Sequence, residues 1–449
     1  MIKPSKIIVV GGNAAGPAAA AKAKRVNPDA EVIMFESGEY ISTGTCEIPY
    51  VLSGDISGFE ELVTFSPGKF MEEKGVKTFT GCVVTGINRE RKYVTVYNSK
   101  MRQEFEERYD SLILATGSLP KKIPDFPEFA PNLFTLKNIS DLTRVIEFLK
   151  LKDVNSVAVI GSGYIGIEAA DAFHVSGKEL ILIEKEKLPL PYTEPEVRLL
   201  ISELLKKKNI LFVGGYRKFS VYTEKGFIRS INIDGRIIEP GIVISAVGFT
   251  PNNALARAAG LKITSKGAVK VDNKLRTSDS SIWACGDNVE IINLITGRND
   301  YYPVATIAHD FGHVAGENAA GGMAMVSPVI KNIAIKILDR FQVSVGITEK
   351  ESKENGIPCK IVQAAASNLV KIMPDSELDF GKIVYHAIEK NILGAAFFGG
   401  KEVSGFGNLI SVLIKLKVPA GVLTEINYNY TPPLSPLINL LSILGRQVK

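Results

Sequence analysis

The chain has 449 residues, of which 45% are hydrophobic and 22% are charged, a composition typical of a soluble globular protein with two or three domains. Its net charge of +5 is small for this length, so nucleic acid is not expected as a partner. No run reaches the ~18 uninterrupted apolar residues that a membrane span needs, and the N-terminal residues lead into a strand, so neither a membrane span nor a targeting segment is expected.

A glycine-containing loop follows the first predicted strand. The β-branched run at 6–10 leads into a loop from Gly11 to Gly16, an alanine-rich helix is predicted to residue 25, and a second strand over 31–35 ends at Glu36. This order is typical of a βαβ unit that binds a dinucleotide. Asn13 stands where the second glycine is usual, and asparagine tolerates unusual backbone angles.

Cys46 follows this unit. A free cysteine is most often a small buried hydrophobe, but the polar segment 42–45 and the residues after Cys46 do not resemble a core strand. A helix N-terminus beside an electron-poor ring would stabilise its thiolate, whereas the adjacent Glu47 would oppose the charge. Cys82, Cys285 and Cys359 are expected in the core. No partner thiol is therefore predicted.

Sparse cysteines without C-x-x-C spacing argue against a disulfide framework or a zinc site and favour a reducing cytoplasm. Only four histidines occur, without an H-E-x-x-H pattern, so no metal is expected.

The pattern of the first unit then repeats. Residues 106–117 predict one buried strand ending in Ala115-Thr116-Gly117, and four prolines between 120 and 131 indicate a crossing into a second domain. A strand from 156, a loop from Gly161 to Gly166, a helix to 176 and a strand ending at Glu184 form a second βαβ unit.

The second loop has the complete G-x-G-x-x-G spacing. Its first glycine permits a tight turn, its second lets the backbone approach a pyrophosphate, and its third allows close helix–strand packing. Glu184 is placed to bind an adenosine ribose and favours NADH over NADPH, a preference that Lys185 and Lys187 would weaken. Each loop alone could be an ordinary turn rich in small residues, but two correctly framed copies argue against this interpretation.

A strand predicted at 242–248 is the counterpart of the strand that ends in Ala115-Thr116-Gly117, and a segment at 281–287 also ends near a glycine. No third glycine loop of this kind occurs after residue 322. Short β-rich runs at 360–363 and 381–388 and a helix at 407–417 predict a third, α+β domain.

These residues resemble the pyridine nucleotide-disulfide oxidoreductases, specifically the single-cysteine branch of coenzyme A-disulfide reductases, NADH oxidases, NADH peroxidases and persulfide or polysulfide reductases. The likeness covers nearly the whole chain. It implies an α/β fold with a Rossmann-like FAD domain at 1–117 and 251–325, a Rossmann-like NAD(P)H domain at 118–250 and a C-terminal α+β dimerisation domain at 326–449. The segment 429–435 is similar to the branch's tyrosine-x-proline-proline signature, which implies a homodimer in which Tyr430 reaches the partner's active site.

The resemblance also implies the site residues. Cys46 and Tyr430 would be catalytic. The cofactors FAD and NADH, with NADPH as the alternative, would be bound by Gly11, Gly12, Asn13, Ala14, Ala15, Gly16, Glu36, Ser37, Val83, Ala115, Thr116, Gly117, Gly161, Gly163, Tyr164, Ile165, Gly166, Glu184, Lys185, Gly248, Gly286, Asp287 and Ala305. A coenzyme A substrate would use Ser42, Thr45, Lys74 and His309.

Four departures from the family pattern stand out. Glu47 follows the cysteine where glycine or alanine is usual, and Ala14 replaces the histidine of oxidases and peroxidases, so efficient peroxide chemistry is not expected. A second tyrosine is missing near 372–374, and Leu437-Ile438 replaces the lysine after the proline pair, so coenzyme A would be held less well. No rhodanese domain is expected after residue 449.

The leading hypothesis is an FAD-dependent, NADH-preferring reductase of a disulfide, persulfide or polysulfide that acts through Cys46. One alternative is an NADH oxidase in which Cys46 cycles through sulfenic acid. A second passes electrons from the flavin to a carrier such as rubredoxin and leaves Cys46 a bystander. A third, non-enzymatic alternative is a flavoprotein redox sensor.

Overall fold

Helices and strands alternate through residues 4–449, the part of the chain that the computed structural model describes; residues 1–3 of the predicted domain 1–117 lie outside it. The helices are α1 (Ala15–Val26), α2 (Ile48–Ser53), α3 (Pro67–Lys74), α4 (Ile139–Leu151), α5 (Tyr164–Val175), α6 (Pro195–Lys207), α7 (Ala254–Ala258), α8 (Ala305–Ala319), α9 (Glu349–Glu354), α10 (Val403–Lys415) and α11 (Leu440–Arg446). None of these described helices is long and apolar enough to cross a membrane.

The strands fall into four stretches of the chain. The first stretch has β1 (Lys6–Val10), β2 (Glu31–Glu36), β3 (Ile41–Thr43), β4 (Val63–Phe65), β5 (Lys77–Thr80), β6 (Cys82–Asn88), β7 (Tyr93–Asn98), β8 (Gln103–Arg108) and β9 (Ser111–Leu114). The second has β10 (Ser118–Pro120), β11 (Leu133–Phe134), β12 (Ser156–Ile160), β13 (Glu179–Glu184), β14 (Leu211–Gly214), β15 (Phe219–Glu224), β16 (Phe227–Ile233), β17 (Arg236–Ile238), β18 (Ile242–Ser245) and β19 (Phe249–Pro251). The third has β20 (Ile282–Ala284), β21 (Ile291–Ile292) and β22 (Asn299–Asp300). The fourth has β23 (Asn332–Ile337), β24 (Arg340–Gly346), β25 (Cys359–Ser367), β26 (Leu378–His386) and β27 (Ile392–Gly399).

The first glycine loop begins a parallel sheet of five strands in the order β20-β9-β1-β2-β5. Its central strand β1 is buried from Ile7 to Val10, and α1 packs against α8, where Gly312 and Gly316 lie directly on the backbone of Ala15 and Ala19. One continuous core joins residues before 116 to residues after 255. The domain bounds 1–117 and 251–325 stay a prediction.

The second glycine loop begins another parallel sheet, in the order β11-β18-β12-β13-β14. The chain enters this unit through β10 and leaves it through β19, and these two short strands pair in antiparallel fashion, Ser118 opposite Pro251. The fold is thus α/β with two Rossmann-like units, whereas the domain bounds 118–250 stay a prediction.

The C-terminal region is an antiparallel sheet in the order β23-β24-β27-β26-β25, with α10 and α11 packed on it. An α+β arrangement is therefore correct for this region. The helix predicted at 407–417 begins four residues earlier, and the strands predicted at 360–363 and 381–388 are longer, because their alternating residues continue across the hairpin.

Two sequence predictions are wrong. The single strand expected over 106–117 is two strands: β8 is an exposed edge of the antiparallel sheet β6-β7-β8, and β9 is buried in the first parallel sheet. Between them Asp110 turns the chain by accepting hydrogen bonds from the backbone amides of Ser5 and Lys6. Cys359 is only partly buried because it begins the edge strand β25, whereas Cys82 and Cys285 are buried as predicted.

A buried lysine links the C-terminal sheet to the second Rossmann-like unit. Lys382 on β26 is 1% exposed, and its Nζ lies 2.9 Å from Glu194, 3.0 Å from Glu196 and 3.0 Å from Glu349. Burial alone would lower the pKa of Lys382, but the three carboxylates raise it above its ordinary value. The lysine is therefore the counter-ion for carboxylates of two separate elements, α9 and the start of α6.

Replacing Lys382 by methionine should lower the free energy of unfolding by about 3–5 kcal/mol, because it leaves the buried carboxylate of Glu194 without its counter-ion. Denaturant unfolding followed by fluorescence measures this loss. The control Lys350→Met removes an exposed lysine and should change the free energy by less than about 0.5 kcal/mol. Equal effects of the two variants would contradict a special role for the buried lysine.

Candidate active site

One cavity of about 2290 Å³ lies between the two parallel sheets and the C-terminal sheet. Both glycine loops and Cys46 line it, and so do all the predicted cofactor residues except Gly16 and Gly166. Those two glycines pack beneath their loops, where an added Cβ would overlap the carbonyl oxygens of Gly11 and Gly161. The cavity is large enough for two dinucleotides placed end to end.

The first loop is shaped for close approach of a pyrophosphate. Gly11 has a φ of 109°, and an added Cβ there would overlap the carbonyl oxygen of Ala115. Glu36 closes the site, because its Oε2 accepts a hydrogen bond from the amide of Gly12 at 2.6 Å and its Oε1 accepts one from Gly38 at 2.6 Å. The loop and its carboxylate fit the adenosine half of FAD.

Asn13 has a different role from the one its backbone tolerance suggested. Its φ is not positive; instead its Oδ1 accepts hydrogen bonds from the amide and hydroxyl of Thr43, at 3.2 and 3.1 Å. The side chain therefore ties the glycine loop to β3, the strand that precedes Cys46.

The far side of this first site is held by side chains after β9 and β20. Asn288 donates to the carbonyl of Leu114 at 2.9 Å and to Thr116 Oγ1 at 3.0 Å, and Asp287 accepts from the hydroxyl of Ser118 at 2.9 Å. These bonds bring the predicted Thr116 and Asp287 together, although they are far apart in the sequence.

The second loop repeats the geometry of the first. Gly161 has a φ of 95°, and an added Cβ would come within 2.6 Å of the carbonyl oxygen of Ala246. Glu184 Oε2 accepts from the amide and the hydroxyl of Ser162, both at 2.8 Å. Tyr164 and Tyr192 stack beside the loop with ring centroids 5.8 Å apart. The arrangement fits a second dinucleotide with its ribose near Glu184.

Cys46 lies in a short 3₁₀ helix, Thr45–Glu47, that runs directly into α2. It is a free, solvent-accessible thiol on the cavity wall, not a core cysteine. Partial burial raises the pKa of the Cys46 thiol, and the carboxylates of Glu47 and Glu168 raise it further. Lys137 lowers it. The influences that oppose a thiolate outweigh those that favour it.

Sequence reasoning missed Lys137 and Glu168, although both line the cavity. The Nζ of Lys137 lies 2.9 Å from Ser118 Oγ, 3.4 Å from Asp287 Oδ2 and 4.5 Å from the centroid of the Phe249 ring. Nothing local in the sequence indicates these contacts. Glu168 had a usable signal, because it is the first charged residue in a mainly apolar helix, one turn after the glycine loop.

The predicted substrate residues are not brought together within one chain. Thr45 lines the cavity, but Ser42, Lys74 and His309 do not. Lys74 pairs with Glu73, and His309 lies on α8 with its ring centroid 4.5 Å from that of His313. Tyr430 is 51% exposed on the C-terminal loop and does not line the cavity of its own chain.

Comparison with known proteins places the chain in a family. Residues 5–309 match the pyridine nucleotide-disulphide oxidoreductase model, and residues 340–440 match the dimerisation domain of the same enzymes. An NADH oxidase of Methanocaldococcus jannaschii is 29% identical over 98% of this chain and 97% of the relative. An NAD(P)H sulfur oxidoreductase (CoA-dependent) of Pyrococcus furiosus is 28% identical over the whole of both chains.

Among solved structures, an NAD-dependent persulfide reductase of A. fulgidus superposes with a TM-score of 0.93 and 30% identity, over 98% of this chain and 82% of the other. The chain belongs to the pyridine nucleotide-disulphide oxidoreductase family, and it is an FAD-dependent NAD(P)H oxidoreductase.

The charges around Cys46 predict opposite effects of two substitutions. Glu47→Gln removes a negative charge, lowers the pKa of the thiol and should raise its alkylation rate at neutral pH roughly two- to fivefold, whereas Lys137→Met should lower the rate by a similar factor. The rate is measured as a function of pH with iodoacetamide and mass-spectrometric assignment of the modified cysteine.

Glu104→Gln, on the exposed strand β8, is the matched control and should leave the alkylation rate unchanged. A shift of the same sign in the Glu47 and Lys137 variants would contradict the electrostatic account.

Proposed function

We propose that the protein uses NADH to reduce a disulfide, persulfide or polysulfide, with Cys46 as the thiol that forms a mixed disulfide with the substrate. The observation that carries this proposal is one cavity lined by both nucleotide loops and by an accessible thiol. Cys285 and Cys359 do not line this cavity, and Cys82, which does, is buried. We therefore expect the second sulfur to come from the substrate. The names of the P. furiosus and A. fulgidus relatives support the same substrate class.

FAD supplies the two-electron carrier when bound, and the chain's own residues hold and orient it. Glu36 and the loop from Gly11 would hold its adenosine half, and Thr116 and Asp287 would lie along the rest. Lys137 would bring a positive charge to the Cys46 side of the site. Sγ of Cys46 would attack a substrate sulfur and release the other sulfur as a thiolate.

The second loop favours NADH. Glu184 is held by Ser162 on Oε2 and by the amide of Glu186 on Oε1, so its carboxylate has a fixed position near the expected ribose. A 2′-phosphate there would face a like charge. Lys185 on the same wall would reduce this discrimination without reversing it.

We also propose that the active unit is a homodimer, in the cytoplasm, to which each chain contributes Tyr430 across the interface. Leu434, Leu437 and Ile438 beside Tyr430 are 70%, 77% and 47% exposed in the single chain. An apolar patch of this kind is typical of a surface that a partner covers, and the match to a dimerisation domain over 340–440 supports a second copy as that partner.

Cys46→Ser should abolish reduction of disulfides, persulfides and polysulfides while leaving FAD content and reduction by NADH intact. Steady-state assays under nitrogen, with coenzyme A disulfide and polysulfide as acceptors, measure this. Normal turnover of these acceptors by the variant would contradict the proposal.

The M. jannaschii relative makes oxygen reduction the second candidate. Oxygen uptake equal to NADH consumption in air, without stimulation by any sulfur acceptor, would select it. Activity that resists thiol alkylation would instead make Cys46 a bystander.

Hybrid dimers test whether Tyr430 acts across the interface. Cys46→Ser and Tyr430→Phe chains carrying different tags are co-expressed, and the mixed dimer is purified. One of its two sites then has both residues intact, so the hybrid should show about half of wild-type activity while both parent homodimers are impaired. A hybrid no more active than its parents would contradict a shared site.

A further inference from the structure

A short connecting segment, residues 188–194, joins the second glycine loop to the C-terminal sheet. It follows β13 and ends directly before α6. Its first half makes a hydrogen bond with the glycine loop, and its last two residues make hydrogen bonds with β24, β26 and the start of α9. The segment therefore links a nucleotide site to a part of the chain that carries no nucleotide loop.

At the nucleotide end, the connecting segment lies against the glycine loop. The amide of Leu190 donates to the carbonyl of Ser162 at 3.0 Å. Tyr192 stacks on Tyr164, and its ring lies 3.5 Å from the position that an added Cβ on Gly163 would take. Gly163 is the second glycine of the motif, which lets the backbone approach a pyrophosphate. The segment thus covers the part of the loop that would face the nucleotide.

Leu190 turns the connecting segment sharply. Its φ is 50°, a left-handed conformation that a bulky side chain rarely adopts, and its side chain is completely buried. The amide of Thr193 closes the turn on the carbonyl of Leu190 at 3.4 Å. A strained turn of this kind persists only where the surrounding structure holds it. The contacts that Thr193 makes are therefore important for the position of the whole segment.

At its other end, the segment is held by side chains of the C-terminal sheet. Nε2 of Gln342 donates to Oγ1 of Thr193 at 3.2 Å and to Oγ of Ser344 at 2.6 Å. The Ser344 hydroxyl donates to the same Thr193 oxygen at 2.8 Å. Glu194, the next residue, accepts from Nζ of Lys382 at 2.9 Å and from the first amide of α9 at 2.7 Å. Two consecutive residues of the segment are thus fixed to the C-terminal region.

Gln342 separates a positioning role from a direct contact with the nucleotide. It is completely buried and does not line the cavity of the candidate active site. Its Oε1 is buried without a hydrogen-bond partner among residues 4–449. An apolar side chain of similar shape would avoid the cost of this unpaired atom. A buried amide that carries such a cost indicates a role in placing Thr193 rather than in stability.

We propose that Gln342, acting through Thr193, positions the connecting segment against the second glycine loop and so sets the affinity for the nicotinamide nucleotide. The hydrogen bond to Thr193 fixes the backbone that carries Tyr192 and Leu190. Leu190 in turn holds the carbonyl of Ser162 in the loop. Gln342 is therefore a positioning residue, which acts on the nucleotide site through a continuous set of contacts. Its role is independent of the electron acceptor.

Equilibrium binding tests this role without turnover. NAD⁺ is titrated into the oxidised holoenzyme, and its Kd is measured by isothermal calorimetry. Gln342→Met keeps the length of the side chain but removes the amide, and it should raise the Kd by about three- to tenfold. FAD content should stay unchanged, because the first glycine loop belongs to a different sheet.

Thr193 provides the rescue. Thr193→Val keeps the shape of the side chain without its hydroxyl and should raise the Kd by a similar factor, whereas Thr193→Ser keeps the hydroxyl and should bind as wild type. The effects of Gln342→Met and Thr193→Val should not add in the double variant, because both remove the same hydrogen bond. Thr223→Val, on the exposed strand β15, is the matched control and should leave the Kd unchanged.

Two further measurements distinguish positioning from a general loss of structure. In anaerobic stopped-flow mixing, the variants should need more NADH for half-maximal reduction of the flavin and should reach an unchanged limiting rate. Hydrogen–deuterium exchange should become faster in peptides that contain the amide of Leu190, while the free energy of unfolding stays close to wild type. If Gln342→Met does not fold, Thr193→Val and its serine rescue carry the same tests.

Three results would overturn the proposal. An unchanged Kd in both Gln342→Met and Thr193→Val would exclude the coupling. Equal weakening of binding by Thr193→Ser would assign the effect to packing and not to the hydroxyl. A raised Kd that is accompanied by loss of FAD or of unfolding free energy would assign it to general destabilisation. Because NAD⁺ binding and flavin reduction need no acceptor, these results are distinguishable from a failure of the proposed substrate class in the Cys46→Ser assay.

Discussion

The active cavity depends on a backbone contact that occurs twice, where the first glycine of a loop lies against the carbonyl at the end of a neighbouring strand. Gly11 meets Ala115, and Gly161 meets Ala246. Each contact brings the loop amides to the end of the sheet, where a glutamate from the next strand holds them. Because these bonds are made within the protein, the loops are held in place by the chain's own groups. Any side chain at the contact would separate loop from strand and open the site.

Sequence patterns predicted the features that depend on only a few consecutive residues. The glycine loops, the strands that precede them and the acidic residue after each second strand follow from steric limits on a few consecutive residues. The strand predicted over 106–117 failed because the alternating charges of 103–108 belong to an exposed edge, which a count of apolar residues does not separate from the buried strand that follows. Lys137, Lys382 and the pairing of Asn288 with Thr116 were out of reach, since their partners lie far away in the chain and only tertiary packing brings them together.

Electrostatics distinguish this cavity from one built to keep a permanent thiolate. Two carboxylates and the cavity wall oppose the charge on Cys46, and a single lysine offsets them. A thiol in this setting is mainly protonated at rest, so its ionisation has to accompany the arrival of substrate or electrons. Glu47 is one of the groups that raise the pKa of this thiol, so a residue that departs from the family pattern has a definite electrostatic effect at the site.

The antiparallel pairing of β10 with β19 has an architectural consequence. The segment that enters the second Rossmann-like unit and the segment that leaves it are hydrogen-bonded neighbours, so the two ends of the unit lie side by side at the surface of the first. Ends that lie side by side are typical of a domain inserted into another domain. Such a domain can be replaced or deleted with little displacement of the chain on either side. The nicotinamide specificity of such an enzyme can thus evolve as a module, while the flavin site and the thiol beside it stay in place.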